Sequence, residues 1–417
     1  MTADARLIWT AAIDAVRPER LLATSTVESR IRNAIDGCDR IAVIGAGKAA
    51  AGMAAGVETL LGTESLSRHR VSGLVSVPEG CGRRVECVEV RATRPAGVNL
   101  PTPAVVRATE EIVRLVSSLT PRDVAIAVIT GGGSALLAAP RPGVSLEDKI
   151  AATRRLSEAG ATIAELNAAR RRMSLVKGGG LARACRAGRL VVLVLSDVIG
   201  NDLEVIASGP CMPAETATNG SWTTPHGCRV EHLIVGDNAT AISAAEAEAR
   251  RLGYEIVPAT ILAEATAEAV AASLADAALA ALVATRRDGR PRAIVSGGEA
   301  TVRVPHDHGQ GGRNQQTVLA AIDHVRQTAG TWPDGLVIAS VGTDGEDGPT
   351  DAAGAVADAA IVAAIDARGL DVAEALTRCD AYPLLAASGG LIHTGPTGTN
   401  VADVRLVLVS ASISHVT

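Results

Sequence analysis

Lys48 ends a strand-like run that carries two glycines, I-A-V-I-G-A-G-K from Ile41 to Lys48. Gly45 and Gly47 let the backbone turn tightly and approach a ligand. The helix start that follows offers N–H groups to an anion, and Lys48 adds a positive charge. A Walker A loop would need G-x-x-x-x-G-K-[ST], and here Ala42 and Ala49 break that pattern. G-x-G-x-x-G fails at Ala50. The run reads as an anion or phosphate site, or as a tight turn with a surface lysine. V-I-T-G-G-G-S-A-L-L repeats the theme, with Gly131, Gly132 and Gly133 as a nest of N–H donors before Ser134. Backbone binding of a ligand suits it better than covalent catalysis by Ser134, because G-x-S-x-G is absent.

Arg170, Arg171, Arg172 and Lys177 concentrate positive charge beside Gly178-Gly179-Gly180. Such a run is either a solvated helix face or the wall of an anion site. Asp197 closes an apolar run in V-L-S-D-V-I-G-N-D, where a buried carboxylate requires a partner or a metal. Glu299 follows S-G-G, and G-G-R-N-Q sets Arg313 and Asn314 at a helix start, with a guanidinium able to grip phosphate or carboxylate bidentately. Asp344, Glu346, Asp347 and Asp351 cluster in G-T-D-G-E-D-G-P-T-D, hard oxygen ligands that suit Mg²⁺ with phosphate, or an Asp-rich turn with a helix cap. Thr397, Asn400 and Asp403 lie in T-G-P-T-G-T-N-V-A-D, which reads as phosphate contacts or as turns.

The elements that must hold these groups are legible as short apolar runs closed by Gly, Ser or Asp: 40–44, 125–129, 190–195, 232–235, 293–296 and 336–340. Continuous apolar runs suit parallel strands covered on both faces. Ala-rich helical stretches over 162–172, 239–252, 264–285 and 355–367 alternate with them. The segment 211–230 reads as an irregular loop. The pattern predicts an α/β fold of two domains with mostly parallel sheets and ligand sites at the carboxyl ends of strands. The charged segment R-R-D-G-R-P-R after a long helix places the boundary between residues 1–286 and 287–417.

Composition narrows the partners. The 417 residues include three Trp, two Tyr and no Phe, which excludes stacking platforms for single-stranded nucleic acid and aromatic cages for methylammonium groups. A net charge of -5 argues against duplex DNA as a partner. Seven scattered cysteines without C-x-x-C read as reduced thiols. The N-terminus has no apolar signal core, and no apolar run approaches a bilayer span, so a cytoplasmic setting without membrane contact is expected. A homodimer is the default assembly.

Taken in order along the chain, G-A-G-K-A-A, T-G-G-G-S-A-L-L, K-G-G-G-L-A, S-D-V-I-G-N-D, S-G-P, S-G-G-E, G-G-R-N-Q, G-T-D-G-E-D-G-P-T-D-A-A-G-A and T-G-P-T-G-T-N-V-A-D resemble the class II glycerate kinases. These pair an N-terminal glycerate-kinase-type domain with a C-terminal MOFRL domain. The resemblance spans nearly the whole chain. It implies an interdomain cleft as active site, with Lys48 and Arg313 as its essential residues. It further implies MgATP-dependent phosphorylation of the 2-hydroxyl of glycerate or a related short hydroxy acid.

In that reading Lys48 and Arg313 stabilise phosphate or grip the substrate carboxylate. Asp197, Asp344 or Asp351 holds Mg²⁺ or accepts the hydroxyl proton. ATP lies on Gly45, Gly47, Gly131–Gly133, Ser134, Lys177, Gly178, Gly179, Glu299, Asn314, Thr397 and Asn400. The chain departs from the family's G-H-P-x-P-D at Gly97-Val98-Asn99-Leu100-Pro101-Thr102. Arg172 stands where V-R-K-H-L-S has His, which suggests an acceptor with extra negative charge. The rival readings are an NAD(P)H-dependent hydroxypyruvate reductase, which lacks its dinucleotide fingerprint here, and a non-catalytic sugar-acid-binding homologue.

Overall fold

A computed structural model describes residues 1–160, 163–212 and 221–411. The chain forms two compact units. The first comprises residues 17–237 and 398–401, and the second residues 1–16, 238–397 and 402–417. All six strands expected from apolar runs are present.

The first unit holds a seven-stranded sheet of β1 (Ile41–Ala46), β2 (Ser72–Pro78), β3 (Val88–Arg94), β4 (Val124–Thr130), β5 (Arg189–Leu195), β6 (Ser221–Thr223) and β7 (Arg229–Gly236). Their order is β3-β2-β1-β4-β5-β7-β6. Every pair is parallel except the short edge pair β6–β7. β1 and β4 are buried along their whole length, as strands covered on both faces must be. Their core includes Ile44, Ile112, Ala127, Ile129, Leu136, Leu181 and Val192. The chain winds outward from β1 to β3, returns to β4, and winds the other way. The switch point lies between β1 and β4, where open α/β sheets leave a crevice at the strand carboxyl ends. Within the expected 211–230 loop, residues 213–220 lie outside the described residues, and Ser221–Thr223 pairs with β7.

The second unit departs from the parallel expectation. Its strands are β8 (Glu255–Ile256), β9 (Arg292–Gly298), β10 (Leu336–Gly342), β11 (Gly354–Ala357), β12 (Leu391–Ile392) and β13 (Asp403–Val409), in the order β12-β11-β10-β13-β9-β8. Only β8–β9 runs parallel; the other pairs are antiparallel. β13, central and fully buried, is absent from the expected strands; only its first residue, Asp403, falls in the run that reads as phosphate contacts or turns. The helix expected over 355–367 begins later. Gly354–Ala357 pairs with β10 and β12, and Asp358 then caps the helix Ala359–Ala367 by accepting from Ile361 N–H at 2.9 Å.

The sequence boundary at 286/287 falls inside this unit. Helix Ala267–Asp288 ends at Gly289, whose φ of 76° suits the left-handed cap, and packs on β9, β13 and helix Arg313–Ala329. Helix Ala267–Asp288 is long and apolar enough, by length and composition alone, to cross a membrane, contrary to the expectation that no such run exists. Here Ala267, Val270, Leu274, Ala278 and Leu282 form a buried stripe along it.

Candidate functional site

At the switch point the two glycine-rich turns interlock. A Cβ at Gly45 would lie 2.0 Å from Val128 O, and one at Gly47 would lie 2.0 Å from Thr130 Oγ1. These glycines therefore serve the close approach of neighbouring strand ends. The amides of the turn that leads into helix Ala50–Arg68, together with that of Ala50, are satisfied within the protein. Gly47 N–H donates to Ser76 O, Lys48 N–H to Gly131 O at 2.9 Å, Ala50 N–H to Gly47 O, and Ala49 N–H to Thr130 Oγ1 at 3.1 Å. The backbone cradle expected before this helix is thus filled by β2 and β4, and the Lys48 side chain carries what chemistry remains.

Around the second turn several predicted groups do converge. A Cβ at Gly131 would fall 2.1 Å from Asn400 Nδ2 and 2.4 Å from Asp197 Oδ2. Asn400 Nδ2 itself donates to Asp197 Oδ2 at 3.4 Å. A Cβ at Gly132 would lie 3.5 Å from Lys48 Cγ and 3.6 Å from Arg94 Nη2. Lys48, Asp197, Asn400 and Gly131–Gly132 therefore share one neighbourhood. Arg94, buried at the end of β3, joins them. It went unnoticed in sequence because a strand-terminal arginine carries no local signature.

Lys177, only 4% exposed, anchors a polar network on the same unit. Its Nζ donates to Ser134 O at 3.0 Å, Ser134 Oγ at 3.1 Å and Ala207 O at 3.1 Å. All three ammonium protons have acceptors, so Lys177 holds Ser134 in place. Ser134 Oγ contacts Ser208 Oγ at 3.0 Å, and Ser208 Oγ donates to Asn167 Oδ1 at 2.9 Å. The phosphate contacts expected from the following glycine amides are not met. Gly178 N–H donates to Ser208 O and Gly179 N–H to Gly209 O.

In the second unit, Arg313 opens helix Arg313–Ala329 and is gripped by carboxylates. Its Nε donates to Asp403 Oδ2 at 2.8 Å and its Nη2 to Asp403 Oδ1 at 2.9 Å, while Nη1 pairs with Glu299 at 3.0 Å. Burial opposes the guanidinium charge, but Asp403 and Glu299 raise its pKa well above the ordinary value. Asn314 Nδ2 donates to Asp403 Oδ1, and its Oδ1 accepts from Ser340 Oγ. Asp347 caps the helix by accepting from Asn314 N–H at 3.0 Å and Gln315 N–H at 2.9 Å; burial pushes its carboxyl up to about 6 despite those donors. Thr397 fastens the acidic loop, donating from Oγ1 to Thr343 O at 2.6 Å and from N–H to Asp344 O at 3.2 Å.

The expected metal ligands differ in setting. Asp344 is 9% exposed and accepts from Glu346 N–H. Asp351 is exposed, accepts from Tyr382 Oη at 2.7 Å and pairs with His393. Among the described residues no three His, Cys, Asp or Glu side chains gather as a metal-binding group. Such donors fit a Mg²⁺ whose remaining ligands are water and phosphate oxygens. They do not fit one held by protein alone.

Comparison with known proteins places this geometry. Residues 4–234 match the domain of unknown function DUF4147, and residues 292–403 match the MOFRL family. The mouse glycerate kinase is 33% identical, covering 97% of this chain and 92% of its own. A D-glycerate 2-kinase of Thermotoga maritima is 31% identical over 95% of each chain. The crystal structure of the Thermotoga maritima glycerate kinase superposes with a TM-score of 0.79 at 32% identity, covering 98% of this chain and 99% of that one. The chain belongs to the glycerate kinase family that joins a DUF4147 domain to a MOFRL domain.

Proposed function

We propose that this protein is an ATP-dependent glycerate 2-kinase. The observation that carries the reading is the match, over 95% of each chain, to a D-glycerate 2-kinase. The glycerate 2-hydroxyl oxygen attacks the γ-phosphorus, the bond to the ADP oxygen breaks, and the hydroxyl proton passes to a base. Such transfer depends on positioning and charge neutralisation more than on covalent chemistry.

Lys48 and Arg94, which stand over Gly132, supply positive charge to the transferring group. Asp197, oriented by Asn400 against Gly131, receives the proton. Arg313 orders the second unit through Asp403 and Glu299. Asp344 would be the protein carboxylate to hold a Mg²⁺ bound to ATP, and that ion would supply neutralisation of phosphate charge. The setting is the cytoplasm, and a homodimer is the assembly to test by sedimentation.

Purified protein incubated with MgATP and glycerate, tetronates or hydroxypyruvate decides the reading. ADP formation with a 2-phosphorylated product by ³¹P NMR supports it. NADH consumption without ATP, or binding with no turnover, refutes it. Lys48→Ala is expected to remove at least about 100-fold of kcat with an unchanged melting temperature. A wild-type rate would remove Lys48 from the site.

A further inference from the structure

Behind Ser134 the first unit holds a cavity of about 60 Å³ lined by Asn99, Leu100, Ser134, Lys149, Arg170 and Lys177. Three cations share this space. Lys149 is 5% exposed, and its Nζ has no hydrogen-bond partner among the described residues. Asn167, 2% exposed and bonded to both Arg170 and Ser208, likewise leaves its Nδ2 without an acceptor. Burial, then the charge of Arg170, pushes the Lys149 amine down to about 8. Burial and the charges of Lys149 and Arg170 depress Lys177 further in the same direction, and burial lowers Arg170. Among the described residues, no carboxylate figures in the groups that act on any of the three. A buried lysine amine without a partner is costly, and like charges beside it raise that cost. A bound anion removes both penalties.

We propose that this pocket seats the carboxylate of the acceptor hydroxy acid, with Lys149 and Arg170 as its direct ligands and Lys177 fixing Ser134 as the inner wall. The inference rests on the kinase reading and names the substrate end of the site. A cavity of about 60 Å³ has room for a small polar group such as a carboxylate. Leu100, Pro101, Ile150 and Ala138 give the remaining wall a carbon surface suited to a short aliphatic acid. Ser134 directly follows Gly133. The 2-hydroxyl, on the carbon next to the seated carboxylate, therefore falls beside the Gly131–Ser134 turn to which Lys48 and Asp197 also come. Asn99, Leu100 and Pro101 belong to the segment that departs from the family pattern, so acceptor choice within short hydroxy acids is set here. Arg172, by contrast, is exposed and does not line the cavity.

Equilibrium binding of glycerate, glycolate, inorganic phosphate and ADP to wild-type protein, Lys149→Met and Lys149→Arg tests the assignment without turnover. Lys149→Met is expected to weaken glycerate and glycolate at least tenfold and ADP less than twofold, with Lys149→Arg recovering part of the loss. Unchanged carboxylate affinity overturns the proposal. So does a loss confined to ADP or phosphate, which would make the pocket a phosphate site. Should Lys149→Met fail to fold, acetylation of Lys149 in wild-type protein is followed by mass spectrometry. Glycerate must slow it and ADP must not; the reverse overturns the assignment. Lys149-dependent carboxylate binding in a protein that forms no ADP from MgATP and any hydroxy acid would leave the pocket standing and remove the kinase reading.

Discussion

Arg313 and Lys149 are both cations in low-dielectric surroundings, and the protein treats them in opposite ways. Arg313 meets Asp403 through two parallel hydrogen bonds and Glu299 through a third contact. Its charge is answered before any ligand arrives. Lys149 faces Arg170 and Lys177 and has no acceptor among the described residues. The first arrangement is architecture, tying the start of a helix to the first residue of β13. The second is a vacancy of charge that a ligand can fill. Counting basic residues in sequence cannot separate the two, because the distinction lies in the company each keeps after folding.

The sharpest way to break the contrast is Asp403→Ala. It strips a fully buried carboxylate from Arg313, and the expected loss is about 3–5 kcal/mol of unfolding free energy in urea titrations. A loss below about 1 kcal/mol would mean the pair is not architectural. Gly131→Ala comes next: the added methyl meets Asn400 and Asp197 at 2.1 and 2.4 Å, so a cost of about 1–3 kcal/mol is expected together with impaired turnover.

Lys149→Met should carry the opposite sign, raising stability at pH 7 by about 1–2 kcal/mol because a buried unpaired ammonium is removed. The pH dependence follows from the depressed pKa. Below about 8 the folded wild type bears the full penalty of the charge. Between that value and 10.5 the folded form has released its proton while the unfolded chain retains one, so wild-type stability rises toward that of the variant. Urea midpoints of the two proteins should converge across this window; a constant gap would contradict a buried, titrating amine. The smallest effect belongs to Arg172→Ala. This exposed residue should change stability by less than about 0.5 kcal/mol and leave glycerate KM unaltered. A shift in acceptor preference would restore Arg172 as a specificity residue.

The first sheet was the most legible part of the molecule. Strands such as Val124–Thr130 are apolar at almost every position because both faces are covered. Strand direction is not written in such runs, and the antiparallel pairing of β10, β13 and β9 therefore went unread. β13 was missed because Asp403 and Arg405 look like loop residues; both are buried, Asp403 answered by Arg313 at a helix start and Arg405 by the carbonyl of Leu262. The glycine turns were located correctly. Their amides were not, since the acceptors for Gly47–Ala49, apart from a neighbour on β2, come from Thr130 and Gly131. Lys149 left no trace at all: a single lysine in an amphipathic stretch looks like any solvated side chain until the helices around it close.

The exchange of termini between the units has a consequence for synthesis. Helix Thr2–Ala15 is made first, yet it packs on helix Asn238–Arg251 of its own unit, roughly 220 residues later. At ribosomal speeds of about 5–20 residues per second, that helix waits on the order of ten to forty seconds for its partner. The first unit waits longer, from Arg17 to the Gly398–Val401 segment, which carries the Asn400 side chain that donates to Asp197. A nascent chain that has already made the parallel sheet therefore still lacks the hydrogen bond from Asn400 to Asp197, which forms only once residues 398–401 have been made.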